Sequence, residues 1–267
     1  MNPDVQSLLF GLIGLLLLKS LTFLIGRSIK AFCVVDVVWA ASFGVLVLYW
    51  LSARDWGGLR QQVFAGMFVL WSLRLASHLY SRWAGHQFGE DQRYANFHEE
   101  WAPKSDLVMF GFFLLQALSV WLLAAPMYPV LTDESTQLEL LHWIALALFV
   151  LAVLGEMTAD RQLQHFKRTV GKGVCREGLW AWSRHPNYFF EFLIWVSFSL
   201  FVLGSPRGWS SLIGPALIYY FLNYKTGIPA TEEQSLKSKG DAYRQYQKEV
   251  SAFFPIPPKL KPTQAES

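Results

Sequence analysis

The sequence has little cysteine and little charge. Cys33 and Cys175 are too few for a disulfide framework or a cysteine-based metal site, so we expect no metal. Charged residues make up 16% of the 267 residues, against about 25% in an average soluble domain, while 53% are hydrophobic. The net charge of +3 is small and its basic residues are scattered, which argues against a nucleic-acid partner. A soluble globular protein is therefore the less favoured interpretation.

Long apolar runs take the place of charge. There are seven of them; five are near the roughly 20 residues that a bilayer-spanning helix needs and the last two are shorter, so we predict an all-α integral membrane protein, a bundle of seven transmembrane helices in contact with lipid. The first run has neither a basic segment before it nor a small-residue cleavage pattern after it, so we expect it to remain as a helix. Joining the last two would put the turn sequence 205–209 inside the membrane. The predicted spans are 6–25, 32–52, 63–79, 108–125, 138–156, 188–203 and 211–222.

The basic residues indicate an orientation. With the N-terminus outside and the C-terminus cytoplasmic, most of the 23 lysines and arginines fall on cytoplasmic segments, and Arg54, Arg60 and Arg207 fall outside. We predict one membrane domain over 1–256, and a flexible tail over the polar, proline-containing segment 257–267.

Three ionisable residues lie within the predicted second and third spans: Asp36, Arg74 and His78. Charge at membrane depth is costly, so each is a candidate catalytic residue. Arg74 and His78 are four residues apart and share a helix face, a spacing suited to one anionic or carbonyl group. The alternatives are an Asp36–Arg74 pair that locks two helices, or an Arg74 side chain that extends to the interface.

The densest polar pattern begins where the fifth span ends. Glu156, Asp160, Gln164 and Lys167 recur at helical spacing and predict a polar stripe, although a solvated helix face would look the same. After a basic, glycine-containing loop, Pro186 is a natural first residue of the next helix.

That predicted helix start carries three further polar residues. Arg184, His185 and Asn187 would lie at its N-terminus, which favours an anion such as phosphate. Glu191 follows on the same face as Asn187. The long polar loop 81–105 could cover such a site as a lid or act as a passive connector.

The C-terminal region predicts an amphipathic helix. Leu236, Tyr243, Tyr246 and Val250 have helical spacing and would face the membrane or the cytoplasmic mouth of the bundle. Glu232 lies at its start, where an acid can simply complement the helix dipole.

These motifs resemble the steroid 5α-reductase superfamily, especially its largely bacterial branch of uncharacterised membrane proteins. The resemblance is carried by Gly-Leu-Trp-x-x-Ser-Arg-His-Pro-Asn-Tyr-x-x-Glu at 178–191, Gly-Glu-Met-Thr-Ala-Asp at 155–160 and Gly-Ile-Pro at 227–229. The N-terminal half matches mainly through Asp36-x-x-Trp and Leu-Trp-x-x-Arg74. The Arg-His-Pro-x-Tyr core is also similar to isoprenylcysteine carboxyl methyltransferases.

The resemblance implies a seven-helix bundle whose C-terminal half, about 155–255, encloses NADPH, with the substrate in the N-terminal half. The implied reaction is hydride transfer to the C=C bond of a hydrophobic α,β-unsaturated ketone, steroid-like or another lipid. The resemblance implies a Gln-Glu pair in an early helix and a tyrosine three residues before Arg74, but this chain has no such pair in the second span and has Trp71 there. The carbonyl would then be polarised by Arg74, His78 or a protonated Asp36. Together with the predicted helix N-terminus, the resemblance gives the candidate cofactor-binding residues Glu156, Asp160, Lys167, Arg176, Arg184, His185, Asn187, Tyr188, Glu191 and Glu232.

Two other functions remain open on the sequence. An S-adenosylmethionine-dependent methyltransferase of a lipid or prenylated thiol would explain the Arg-His-Pro core but would leave the acidic stripe unused. A structural or transport protein would use the polar residues only to cap helices. We expect the reductase, in a bacterial inner membrane.

Overall fold

Helices form nearly all the regular structure of this chain. The computed structural model describes residues 2–85 and 87–257; within them there is no β-strand, only an isolated bridge between Ser183 and Ser251. Short 3-10 turns follow α5 and precede α7 and α8. The helices are α1 (Pro3–Ile29), α2 (Val34–Ser52), α3 (Leu59–Gly85), α4 (Gln92–Glu100), α5 (Ser105–Ala124), α6 (Leu140–Thr169), α7 (Pro186–Leu203), α8 (Ile213–Tyr224), α9 (Ile228–Lys239) and α10 (Asp241–Glu249).

Six helices in the described ranges are long and apolar enough to cross a membrane: α1, α2, α3, α5 with its following 3-10 turn, α6 and α7. They correspond to the first six predicted spans. The seventh predicted span, 211–222, lies mainly in α8, whose 12 residues reach about 18 Å, short of the roughly 30 Å hydrocarbon core. An all-helical membrane protein is confirmed, and the count of seven is not.

The helix ends follow from local chemistry. The Asn2 side chain accepts the Asp4 N–H at 2.8 Å, and Pro3 occupies the first helical position of α1. That helix ends at Lys30, whose left-handed backbone returns its N–H to carbonyls of the last turn. The predicted start of α7 at Pro186 is confirmed.

The chain forms two compact units. The N-terminal unit runs to Trp143 and includes Leu200–Ser211; the C-terminal unit comprises Ile144–Ser199 and the chain from Leu212 onward. In the N-terminal unit α2 approaches α3 closely at Gly44, whose N–H donates to Ser72 Oγ at 3.0 Å. Large buried rings, among them Trp50 and Trp71, fill the core beside this contact.

The C-terminal unit depends on a close helix contact and on its own last segment. At Gly155 of α6 a side-chain Cβ would lie 2.3 Å from the Phe190 ring of α7, so only glycine fits there. The single amphipathic helix predicted near the C-terminus is instead two helices, α9 and α10. They meet at Gly240, whose φ of 55° suits glycine.

The apolar face of those two helices lies against the protein. Tyr243, Tyr246 and Val250 are buried, and Leu236 and Val174 pack against them. Of the two predicted placements, this agrees with packing against the bundle. Most of the predicted tail, 258–267, lies outside the described residues.

Candidate functional site

The side chains of the polar stripe on α6 become more exposed from its first residue to its last. Glu156 is buried, Asp160 is half-buried, and Gln164 and Lys167 are exposed. All four lie on one continuous helix, as the spacing predicts, and α6 with 30 residues is about 45 Å long. The helix is longer than the roughly 30 Å core of a bilayer, and the exposed end of the stripe lies in its last turns.

The loop after α6 folds back onto that helix. Gln162 Oε1 accepts the Leu179 N–H at 3.0 Å, and Trp180 Nε1 donates to the Ala159 carbonyl at 2.9 Å. Gly178 has a φ of 55°, and a Cβ there would lie 2.2 Å from the Gln162 side chain. This glycine therefore allows the motif 178–191 to begin directly against α6.

Glu232 joins the Arg-His pair of the motif into one cluster. Arg184 Nε donates to Glu232 Oε1 at 2.6 Å, and His185 Nε2 lies 3.3 Å from the same oxygen. Gln247 Nε2 donates to Glu232 Oε2 at 2.7 Å. Arg184 Nη1 also donates to the backbone carbonyls of Gln247 and Val250. Arg184 and His185 thus hold α9 and the end of α10 against the start of α7.

Burial and hydrogen bonds both affect the charges in this cluster. Burial alone would raise the pKa of the Glu232 carboxyl, but hydrogen bonds from His185, Arg184 and Gln247 outweigh it and lower the pKa to about 2. Burial lowers the pKa of His185 despite the nearby carboxylate. At neutral pH a neutral imidazole therefore donates its Nε2 hydrogen to an ionised Glu232.

The first two turns of α7 carry the remaining predicted residues. The Tyr188 hydroxyl lies 3.1 Å from Thr231 Oγ1, and its ring stacks on His185 with centroids 5.3 Å apart. Glu191 Oε1 accepts the Trp195 Nε1 hydrogen at 2.9 Å. Asn187 Oδ1 is buried and has no hydrogen-bond donor within the described residues. It is an acceptor that a ligand could satisfy.

Two of the predicted cofactor-binding basic residues, Arg176 and Lys167, differ in whether they already have a partner in the protein. Arg176 pairs with Glu249 and lies over the Tyr246 ring, so it is engaged by α10. Lys167 is exposed at the end of α6. Burial lowers the pKa of Lys239, and the nearby Lys167 charge lowers it further. These two lysines repel each other, which would suit a phosphate group between them.

In the N-terminal unit, Asp36 is held by α4 of the long loop. Tyr94 Oη donates to Asp36 Oδ1 at 2.6 Å, and Arg93 Nη2 donates to Oδ2 at 2.9 Å. Both oxygens are therefore engaged by side chains of α4. The catalytic role expected of Asp36 stays a prediction.

The same loop is fixed at a second point. Glu90 accepts the backbone N–H groups of Phe32 and Cys33, at 2.6 and 3.0 Å, at the start of α2. Glu90 and α4 therefore hold this part of the chain against α2. The choice between a lid and a passive connector stays a prediction. A small cleft beside it is lined by Cys33, Asp36, Val37, Leu79, Arg82, Trp83, Gly89 and Asp91.

Arg74 and His78 lie on α3, four residues apart as predicted, with Arg74 half-buried and His78 exposed. Sequence reasoning missed the partners of the candidate residues, chiefly Arg93, Tyr94, Thr231, Gln247 and Lys239. Arg93 and Tyr94 lie in the segment 81–105, which the sequence marked as long and polar without indicating that these two residues would contact Asp36. Gln247 follows Tyr246 directly and lies outside the apolar spacing that predicted the C-terminal amphipathic helix.

Within the described residues, the six long apolar helices are those of an all-helical integral membrane protein. A model of the family described as "Protein of unknown function (DUF1295)" matches residues 22–250. The chain therefore belongs to this family, which lies in the steroid 5α-reductase-like group. The chain is also 30% identical over 251 residues to an uncharacterised protein of Schizosaccharomyces pombe, covering 83% of this chain and 72% of the relative. No solved structure matches.

Proposed function

We propose that this protein is an NADPH-dependent membrane reductase acting on the C=C bond of a hydrophobic α,β-unsaturated ketone, steroid-like or another lipid. Membership of the steroid 5α-reductase-like group supports the reaction class. The single observation that carries the cofactor half of the proposal is Asn187 Oδ1, a buried acceptor on the first turn of α7. A buried polar group left unsatisfied costs about 1–3 kcal/mol, so a ligand donor is expected there. The carboxamide of nicotinamide is such a donor.

Other groups of the C-terminal unit fit the rest of NADPH. Asp160 and Glu156 can accept hydrogen bonds from ribose hydroxyls, and they lie on the same α6 stripe. Lys167 and Lys239 are close enough to repel each other, and an anionic phosphate would relieve that repulsion. Arg184 is engaged by Glu232 and the α10 carbonyls, so we assign it to holding the site together. When bound, NADPH supplies the hydride.

The substrate side of the proposal rests on the N-terminal unit. Hydride addition to the β-carbon places negative charge on the carbonyl oxygen, and Arg74 and His78 are donors that could stabilise it. Asp36 is a positioning residue in this scheme, because Arg93 and Tyr94 occupy its oxygens and tie α4 to α2.

The cofactor is tested by mass spectrometry of nucleotides that remain bound to the detergent-purified protein. We expect NADPH or its oxidised form with the wild type, and at least tenfold less with Asn187→Ala. A tenfold loss corresponds to about 1.4 kcal/mol, within the range for one buried hydrogen bond. Asn223→Ala is the matched control, because Asn223 donates to the Tyr219 carbonyl of its own helix. Equal retention by Asn187→Ala, or no nicotinamide nucleotide on the wild type, contradicts the proposal.

A methyltransferase is the second candidate. The cluster of Arg184, His185 and Glu232 favours it to the extent that the Arg-His-Pro core resembles isoprenylcysteine carboxyl methyltransferases. The same mass spectrum separates the two functions, because S-adenosylmethionine or its demethylated product would replace the nicotinamide nucleotide.

We also propose that the N-terminus is outside and the C-terminus cytoplasmic, in a bacterial inner membrane. Six crossings would leave both ends on the same side, so this orientation requires the predicted segment 211–222 to supply a seventh crossing. The distribution of lysine and arginine supports the orientation. A membrane-impermeant thiol reagent should label Lys237→Cys only from the cytoplasmic side, because Lys237 is exposed and both native cysteines are buried. Labelling from the outer side alone would reverse the orientation.

A further inference from the structure

Three large apolar side chains of the C-terminal unit are exposed although they lie outside the six long helices. Trp182, Phe254 and Ile256 are 48%, 51% and 54% exposed in the described part of the chain. Trp182 precedes α7, and the other two residues follow α10. Neighbouring exposed apolar side chains mark a surface that makes a contact, because scattered single ones are the rule on a protein that faces only water.

Hydrogen bonds hold these three side chains next to one another. The Ile256 N–H donates to the Trp182 carbonyl at 3.1 Å, and Ser183 Oγ donates to the Phe253 carbonyl at 2.9 Å. The segment after α10 therefore runs beside the chain that leads into α7. Phe253 is buried, while its neighbour Phe254 is exposed on the same side as Trp182 and Ile256.

The length of α7 fixes the depth of this segment. The Phe254 ring packs on Phe189, in the first turn of α7, with centroids 6.0 Å apart, and the Phe253 ring lies 5.8 Å from Phe189. With 18 residues, α7 is about 27 Å long, close to the roughly 30 Å hydrocarbon core. A helix of this length crosses the membrane only if it begins near the edge of the core. Phe189 and the rings packed on it therefore lie near that edge.

The end of α8 extends the same surface. Tyr219 packs on Phe253 with centroids 5.5 Å apart, and the exposed residues Tyr220 and Tyr224 follow it on α8. Lys225 Nζ lies 5.9 Å from the centre of the Tyr220 ring. Aromatic rings are enriched where a bilayer meets water, and a lysine there can extend its ammonium group to the lipid phosphates. The side chains at this depth are therefore of the kind that lipid head groups accommodate.

We propose that Trp182, Tyr220, Tyr224, Phe254 and Ile256 form one surface that lies in the head-group region of the membrane, where phospholipid covers it. The segment after α10 is then a membrane contact outside the long helices, and it holds the end of α10 at the lipid surface. This inference rests on α7 crossing the membrane and does not depend on the proposed reductase activity.

Spin-label accessibility tests the surface, with one copy of the full chain in each lipid nanodisc. A nitroxide is attached to Ile256→Cys, since both native cysteines are buried. Its collisions with oxygen, which enters lipid, are compared with its collisions with a water-soluble nickel chelate. We expect the oxygen-to-nickel ratio to be roughly tenfold higher for Ile256→Cys than for Lys237→Cys, because a polar chelate is excluded from apolar surroundings. Lys237 is the control because it is exposed on α9. Equal ratios at the two positions would show that water covers the surface and would overturn the proposal.

A second labelled position shows whether the surface lies at one depth. Tyr224→Cys, at the end of α8, should give a ratio as high as that of Ile256→Cys. A high ratio at only one of the two positions would contradict a single membrane-facing surface. A label shielded from both reagents would mean that protein rather than lipid covers it, and that result would also overturn the proposal.

Discussion

At the scale of single residues, Glu232 organises the C-terminal unit. Its two carboxylate oxygens receive Arg184, His185 and Gln247, which come from the start of α7 and from α10. The sequence identified Arg184, His185 and Glu232 as candidate ligands of a cofactor. It could not show that they bind each other, because 48 residues separate Arg184 from Glu232 and only the return of α9 to α7 brings them together.

Replacement of Glu232 should destabilise the protein by an amount that depends on pH. Its pKa is about 2 in the folded chain and ordinarily 4.5, so its stabilisation is complete above pH 4.5 and is lost as the pH falls towards 2. The difference amounts to about 3 kcal/mol at neutral pH. We expect Glu232→Gln to lower the unfolding midpoint by roughly 6 °C or more at pH 7, with a gap to the wild type that narrows between pH 4.5 and pH 3.

The neighbouring Glu233 provides the matched control. It is exposed and pairs only with Lys237 four residues away, so Glu233→Gln should change the midpoint little. If Glu232→Gln were as stable as Glu233→Gln, or if its deficit were the same at pH 3 as at pH 7, the assigned role of this carboxylate would be wrong.

At the scale of helices, the sequence predicted the long helices but missed the break between α9 and α10. Apolar runs predicted the six long helices, because each run is long enough to be recognised without knowledge of its neighbours. The seventh span stays a prediction, since α8 has only 12 residues and hydrophobicity alone does not distinguish a short apolar helix from a span. The break at Gly240 was missed because the apolar spacing continues across it.

The α6–α7 contact is testable at Gly155. A methyl group there would lie 2.3 Å from the Phe190 ring, so the helices or the ring must move apart. We expect Gly155→Ala to lower the unfolding midpoint by roughly 3–8 °C, as for other overpacked cores. Gly111→Ala on α5 is the control, because a Cβ at Gly111 meets nothing within 4 Å. Equal midpoints for the two variants would show that α6 and α7 do not cross as closely as described.

At the scale of the whole molecule, composition identified a membrane protein, and the motifs identified the steroid 5α-reductase-like group to which its family belongs. The division into two units was not predicted, because Leu200–Ser211 joins the N-terminal unit across a long sequence separation. The sequence does not identify a substrate, because the side chains that shape a hydrophobic pocket come from several helices and no linear motif records how they converge.

The central claim is that the protein transfers hydride from NADPH to a hydrophobic enone. The most direct measurement uses the full chain in lipid nanodiscs, NADPH deuterated at the transferable position of the nicotinamide, and a panel of steroid and prenyl-type enones. We predict a saturated ketone that carries one deuterium at its β-carbon, with at least tenfold slower formation by Asn187→Ala than by Asn223→Ala. Product without deuterium, or methyl transfer from S-adenosylmethionine with no enone reduction, would contradict the account.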